Sequence, residues 1–387
     1  MEILFPDLPR ELREGMQTLL KKIDETFPLS QKYRSGLPRD VAELSRQFTS
    51  GRGDRVDGYL GKAAHHSAYL RYFLPWNVFR LLRLLPSLQI SLRDGDAVCD
   101  LGSGPMTFAL ALWIARPDLR KLHMEIRCVD RTAHILEAGK KLFYVLAGEQ
   151  SPWKIRIIKG SLGTPVYGEP AALVTAVNVY NELFWDDRNA LGKIVKTEGA
   201  YLRSLTGKNG SILVAEPGIP RSGEFISVLR ETFLPSADIL APCPHKERCP
   251  FPGGKRGAKW CHFAFDTDDA PAGLHSLSRT AGIPKERAVL SFLYVNLNPD
   301  KIYSPDKPLK ARVISDPIML GGAGQKIAGP AFSAPFGRYA CSSRGMILVS
   351  GKKDLIETIP SGALLEIDAD IKPGTDPKTG IPVFGLV

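Results

Sequence analysis

No window of this 387-residue chain approaches the ~18 uninterrupted apolar residues that a membrane-spanning helix needs, so no such span is expected. Acidic residues are in short supply: 41 Asp and Glu stand against 51 Lys and Arg, a formal charge of +10. A surplus of that size favours polyanionic partners, nucleic acid first among them, although solubility alone would also account for it. The opening residues, MEILFPDLPRELREG, lack the apolar run of a secretory signal and the acid-poor, Arg/Ser-rich character of a transit peptide. They lead to the expectation of a cytoplasmic bacterial protein, or of a mitochondrial matrix protein if the source is eukaryotic. Internal repeats and long low-complexity tracts are missing too. Cysteine is scarce, at six residues. In a reducing compartment thiols stay free, so cysteines that cluster point to metal rather than to disulfides.

What is present reads as an ordinary globular composition, 44% hydrophobic and 24% charged, long enough for one large domain with extensions or for two domains. Residues 1 to about 88 carry helical spacing: ELREGMQTLLKKIDETF, DVAELSRQF and SAYLRYFLPWNVFRLLRLL each place apolar residues three and four apart. Between them runs SGRGDRVDG, a basic glycine loop where Arg52 and Arg55 could meet phosphate or simply face solvent. From Asp96 the pattern changes. Short apolar runs (AVCDL, EIRCVD, KIRIIKG, ALVTAVNV, GSILVAEPG) alternate with helical stretches, which predicts βαβ units and a parallel sheet. The runs are apolar throughout rather than alternating, as strands are when helices cover both faces.

The first run ends in Asp100-Leu101-Gly102-Ser103-Gly104 and leads into a helix. Glycines there let backbone approach a ligand, and the helix start offers free N–H donors. Asp130 ends the next strand, where an acid can accept both hydroxyls of a ribose. A dinucleotide fingerprint would want a third glycine at Thr107. Its absence starts the helix early and leaves less room for a pyrophosphate, favouring S-adenosylmethionine over NAD. Ser161 and Leu162, after the third strand, are expected beside the adenine. Asn178, Tyr180 and Asn181, in VNVYNEL after the fourth, are expected at the transferable methyl. N-methyltransferases often carry an Asn/Asp-Pro-Pro-aromatic turn there, and this segment has no prolines. A capped helix start is an equal alternative.

From about Pro235 the rhythm breaks. PSADILAPCPHKERCPFPGGKRGAKWCHF is too rich in Pro and Gly to be helix or strand through its length, and a bound metal would give so long an irregular segment a reason to fold. Five residues separate Cys243 from Cys249, eleven separate Cys249 from Cys261, and Cys341 is remote. Four thiolates suit tetrahedral Zn²⁺ or an iron–sulfur cluster, and these gaps exceed the usual zinc-ribbon spacing, which favours the larger cubane. Lys246, Arg248, Lys255, Arg256 and Lys259 lie between them and could balance the site's negative charge or reach RNA. His245 and His262 are possible ligands, more often mere neighbours. Cys99 and Cys128 fall inside predicted strands and read as buried small hydrophobes. No compact Cys-x3-Cys-x2-Cys triplet of a radical enzyme occurs. AVLSFLYVNL, RVISDPIML and RGMILVSGK read as further strands, and ALLEIDADI gives the tail some β character.

Together AYLRYFLPWNVFRLL, CDLGSGPMT, VNVYNEL, LVAEPG, APCPHKERCPF with WCHF, and RYACSSRG make the chain resemble a family from about residue 60 to 350. This is the small-ribosomal-subunit-associated methyltransferase-like family, which includes mitochondrial methyltransferase-like protein seventeen, its yeast counterpart and bacterial relatives. The resemblance implies a [4Fe–4S] cluster on Cys243, Cys249, Cys261 and Cys341, and association with the small ribosomal subunit and its rRNA. It departs at Trp76-Asn77-Val78, where relatives tend to carry Ala-Thr-Tyr.

The expectation is therefore an α/β protein with the class I S-adenosylmethionine-dependent methyltransferase (Rossmann-like) fold. Residues 1–88 would form a helical N-terminal region and 89–300 the methyltransferase domain, with 237–265 a cysteine-rich metal-binding insertion. Residues 301–387 would form a β-rich extension supplying the fourth cysteine. Three functions stay open: an rRNA methyltransferase, a catalytically inactive assembly factor using cofactor and cluster structurally, and a zinc-containing small-molecule methyltransferase. The last fits the positive charge poorly. The oligomeric state is not legible.

Overall fold

A computed structural model describes residues 1–49, 63–183, 190–251, 259–298, 308–320 and 336–386. Arg52, Arg55, Lys255 and Arg256 lie outside the described residues. After a two-residue strand β1 (Glu2–Ile3) come helices α1 (Arg10–Thr26), α2 (Gln31–Phe48), α3 (Ala63–Ala68) and α4 (Leu74–Leu84), with a π-helical turn, Tyr69–Phe73, joining the last two. Helix α1 buries Leu12, Met16, Leu19 and Ile23, the i, i+4, i+7 stripe its sequence shows.

The alternating region follows: β2 (Ala97–Leu101), α5 (Thr107–Ala115), β3 (Met124–Asp130), α6 (Ala133–Ala147), β4 (Trp153–Lys159), β5 (Ala171–Val177), α7 (Tyr180–Leu183), α8 (Leu191–Leu205), β6 (Thr206–Pro217), α9 (Pro220–Phe233), β7 (Asp238–Ala241), β8 (Phe263–Asp266), α10 (Ala272–Thr280) and β9 (Arg287–Asn296). Their sheet runs β4-β3-β2-β5-β6-β9-β7, with β8 also pairing β9. Strands β2 to β6 are parallel, and β9 enters antiparallel between β6 and β7. A parallel sheet with one reversed strand wedged beside its end is the class I methyltransferase order, so the expected fold is the observed one. Alternation along β2 sends Val98 into the core under α4 and α5, and Cys99 and Leu101 into the core under α8 and α9. Helix α5 is apolar nearly all round because the sheet covers one side and the N-terminal helices the other.

The last elements are β10 (Leu309–Val313), β11 (Ile318–Met319), β12 (Phe336–Ser342), β13 (Gly345–Gly351), α11 (Lys353–Glu357), β14 (Ala363–Ile367), β15 (Gly374–Thr375) and β16 (Pro382–Gly385). They form a second sheet ordered β1-β14-β10-β12-β13-β16-β15, with its own apolar core of Val313, Ile347, Val349 and Ile356 among others. The chain's first strand is part of it: Glu2 and Ile3 pair antiparallel with Leu364 and Ala363. One reading needs correction. RVISDPIML is not one strand but the end of β10 and the short β11, since Asp316-Pro317 interrupts the ladder. The segment from Pro235 is not helix or strand through its length, but β7 lies within it and β8 starts at its end, both docked on β9. No helix among the described residues is long and apolar enough to cross a membrane.

Candidate functional site

A cavity of about 320 Å³ opens at the carboxyl ends of β2, β3 and β5, where the strand order reverses and α/β sheets place their ligands. Its wall includes Gly102, Ser103, Gly104, Asp130, Ser161, Leu162 and Asn178, drawn from four separate strand ends. Tyr69 and Asn77, from the π-helical turn and α4, also line it. The glycines are required by conformation: Gly102 and Gly104 have φ of 63° and 51°. A Cβ on Gly102 would also stand 2.5 Å from Val179 Cγ2.

Asp130 is built into this loop. Its Oδ2 accepts the Gly104 N–H at 3.0 Å and its Oδ1 accepts the Thr132 N–H at 2.8 Å. A carboxylate keeps further lone pairs, so it can still receive hydroxyls from the cavity side. Asp100 stands elsewhere than expected: it is buried behind the loop, not on the cavity wall. The Ser103 and Thr175 hydroxyls donate to its two oxygens at 2.5 and 2.7 Å. Burial pushes its carboxyl up to about 6, against those two hydrogen bonds, which pull it down. It shapes the loop from beneath.

The three residues expected at the methyl position separate. Asn178 faces the cavity in a left-handed conformation, φ 57°, with its N–H on Ala215 O at 2.8 Å. Tyr180 turns inward and stacks on Phe225, ring centroids 4.4 Å apart, and Asn181 turns the same way. The cause is a residue the sequence reading passed over. Glu216, wholly buried at the end of β6, accepts the backbone N–H groups of Val179, Tyr180 and Asn181 at 2.9, 2.8 and 3.1 Å. With its amide nitrogen inward, Asn181 also donates to Glu216 Oε2 at 2.9 Å and to Asn178 O at 3.1 Å. The capped helix start therefore exists, with the cap supplied from another strand. Burial raises the Glu216 carboxyl to about 8, although the three N–H groups act to lower it. An acid closing an apolar strand, just ahead of Pro217, was the available signal.

The four remote cysteines come together where the two sheets meet. Cys243 follows β7, Cys249 leans on α9, Cys261 precedes β8, and Cys341 lies on β12 opposite Arg312 of β10. The Cys249 N–H donates to Glu231 Oε1 at 2.9 Å, and the Ser291 hydroxyl donates to Cys261 O at 2.8 Å. Burial pushes the Cys261 thiol far up, and Cys243, Cys249 and Cys341 all push it further, so the four share one neighbourhood. A single zinc would need sulfurs about 3.8 Å apart, from Zn–S bonds of about 2.3 Å in a tetrahedron. Among the described residues no three Cys, His, Asp or Glu side chains stand close enough to hold one ion. Two arginines from outside the cysteine loop stand beside the thiols. Arg230, 2% exposed, lies beside Cys243 and ties down His245 O and Glu247 O, and Arg312 donates to Pro242 O at 3.0 Å. Lys246 pairs with Asp238 instead. His245 is no surface neighbour: it is buried, its Nε2 is 3.3 Å from Cys341 Sγ, and burial with Arg230 drives its ring down to about 4. His262 stacks on Trp260 at 4.9 Å. Cys99 and Cys128 are buried in β2 and β3, as expected of small hydrophobes.

Comparison with known proteins adds a family. Residues 67–326 match the family described as mitochondrial small ribosomal subunit Rsm22. No curated protein matches the chain. Among solved structures, a methyltransferase from Pyrococcus furiosus is 8% identical, over 54% of this chain and 78% of that one, with a TM-score of 0.32. TrmN from Thermus thermophilus is 11% identical, over 58% and 52%, with a TM-score of 0.34. The plantazolicin methyltransferase BpumL in complex with SAH is 10% identical, over 74% and 99%, with a TM-score of 0.30. The fold assignment rests on the strand order, not on these scores. With the matched segment spanning the π-helical turn, the whole parallel sheet and Cys243, Cys249 and Cys261, the chain belongs to the Rsm22 family.

Proposed function

We propose that this chain binds S-adenosylmethionine in the cavity at the ends of β2, β3 and β5 and acts on, or assembles, the small ribosomal subunit by binding its rRNA. The observation that carries the reading is the cavity wall: Gly102, Gly104, Asp130, Ser161, Leu162 and Asn178 converge on one space, as a ribose–adenine–methionine ligand requires. When bound, S-adenosylmethionine supplies an electrophilic methyl group. Asp130 would accept the ribose hydroxyls, the Gly102–Gly104 backbone would pass close to the ligand, and Ser161 and Leu162 would flank the adenine. Asn178 would mark the methyl end, held there by the Glu216 cap. Tyr180 and Asn181 are better suited to holding this turn than to touching a substrate. The family name supports the ribosomal partner, and the +10 charge supports RNA as the part recognised.

Cys243, Cys249, Cys261 and Cys341 would hold a [4Fe–4S] cluster. Soft thiolates, their burial and two buried arginines for charge balance support it. Such a cluster would serve as a structural tie between the two sheets. The site of action would be the bacterial cytoplasm, or the mitochondrial matrix in a eukaryote.

Two versions of this function remain in play, methyl transfer to rRNA and assembly without catalysis. Comparing methylation of small-subunit rRNA from wild-type and deletion cells separates them. Loss of one methyl mark, restored by adding purified protein and S-adenosylmethionine, supports the enzyme. Identical marks with defective assembly support the assembly factor.

A further inference from the structure

Helix α4 carries a side-chain row that the cavity does not absorb. Tyr72, Trp76 and Arg80 follow one another at i, i+4 spacing across the π-helical turn and α4. Helix α10 and the segment after it are clamped onto this row. Trp76 Nε1 donates to Ser278 Oγ at 3.2 Å, and the Tyr72 hydroxyl donates to Ile283 O at 3.4 Å. The clamp brings Lys285 over Trp76, with Nζ 5.9 Å from the ring centroid, and within electrostatic reach of Arg80. Two cations of separate elements thus share the surroundings of the Trp76 ring, close enough to feel each other's charge. Among the described residues no carboxylate pairs with either. Arg80 Nη1 donates to Asn77 Oδ1 at 2.6 Å, while its Nε is buried with no hydrogen-bond partner.

Holding two like charges together in a half-buried place is costly unless an opposite charge joins them. Both pay that cost in their proton affinity. Burial, and then Arg80, depresses the Lys285 ammonium to about 7, and burial depresses Arg80. An anion between them would remove both the desolvation penalty and the repulsion. A guanidinium beside an ammonium suits a tetrahedral oxyanion, the first through its planar fork and the second as a point charge. Asn77 connects this place to the cavity, because its side chain both lines the cavity and receives Arg80.

We propose that Arg80 and Lys285 form a phosphate-binding site at the rim of the cofactor cavity, occupied by a backbone phosphodiester of the bound RNA. The RNA half of this rests on the function proposed above; the site itself does not. A phosphodiester seated there would bring the adjoining nucleotide to the cavity mouth that Asn77 borders. The same residues would also take free phosphate, and the test separates the two sources.

The test uses the full chain. Anisotropy of a labelled small-subunit rRNA fragment is titrated at several salt concentrations, and broadening of the ³¹P resonance of inorganic phosphate is followed in parallel. Lys285→Gln and Arg80→Gln should each weaken the RNA about 10-fold or more and lower the salt slope by about one, as loss of one phosphate contact does. Both should also abolish the phosphate broadening. Lys285→Arg should restore binding, which distinguishes a lost charge from a damaged fold, and the remote Lys372→Gln should match wild type. If wild type binds no RNA but broadens phosphate in a Lys285-dependent way, the site stands and the RNA reading falls. If Lys285→Gln and Arg80→Gln leave RNA affinity, salt slope and phosphate broadening unchanged, or wild type shows neither ligand, the site is refuted.

Discussion

Glu216 offers the sharpest way to test how the second half of the cavity is held. Its carboxylate accepts three consecutive backbone N–H groups, from Val179, Tyr180 and Asn181, all within 3.1 Å. Glu216→Ala strands those donors in the interior at ~1–3 kcal/mol each, partly offset by removing a buried acid, so a net loss of ~3–5 kcal/mol is expected. Glu216→Gln keeps one oxygen for Val179 and Tyr180 but sets an amide against the Asn181 N–H, and should cost only ~1–2 kcal/mol. The two also differ with pH. The folded carboxyl, raised to about 8 from 4.5, holds its proton more tightly than the unfolded chain does. Its contribution to stability is therefore complete below pH 4.5 and is lost as the pH rises through about 8, roughly 5 kcal/mol when fully developed. Glutamine cannot titrate, so urea melts of Glu216→Gln should lose less stability between pH 5 and 8 than wild type does. Since Val179 packs on Gly102 and Asn178 lines the cavity, S-adenosylmethionine affinity should fall with the turn. The reasoning fails if Glu216→Ala melts like wild type, or if wild type and Glu216→Gln show the same pH slope.

Gly102→Ala would set a methyl 2.5 Å from Val179 Cγ2 at a φ of 63°. It should cost ~1–2 kcal/mol in backbone strain alone, with cofactor affinity reduced at least about 10-fold by calorimetry. Anaerobically purified protein should be brown, with iron and sulfide near four each per chain. Cys249→Ser should lose the colour and expose residues near 237–265 to protease, while Cys128→Ser keeps the colour because that thiol is buried in β3. Fresh protein with one zinc and no iron would retain the ligand set and remove the cluster.

The fold was legible because its strongest signals are local. Fully apolar runs such as AVCDL and ALVTAV, ended by Asp or Asn and followed by helical spacing, can only be buried parallel strands, and they are β2 and β5. Strands β7 and β8 were hidden because they are four residues each and stabilised by pairing with the distant β9. Strand β1 was invisible for the same reason, since two residues form a strand only when a remote edge receives them. In the site, the glycines and Asp130 announce themselves by spacing. Glu216, Arg230 and Arg80 do not, because each acts through a partner far away in sequence. VNVYNEL could not reveal which of its residues faces the ligand, since that is settled by a carboxylate 35 or more residues on.

The central claim, that the cavity at the ends of β2, β3 and β5 is an S-adenosylmethionine site, meets its most direct test in calorimetry of the purified chain. Wild type should bind S-adenosylmethionine with a stoichiometry of about one. Asp130→Ala, which removes a charged acceptor, should bind it about 10- to 150-fold more weakly. Tight binding of NAD with no heat from S-adenosylmethionine, or equal affinity in wild type and Asp130→Ala, would contradict the claim.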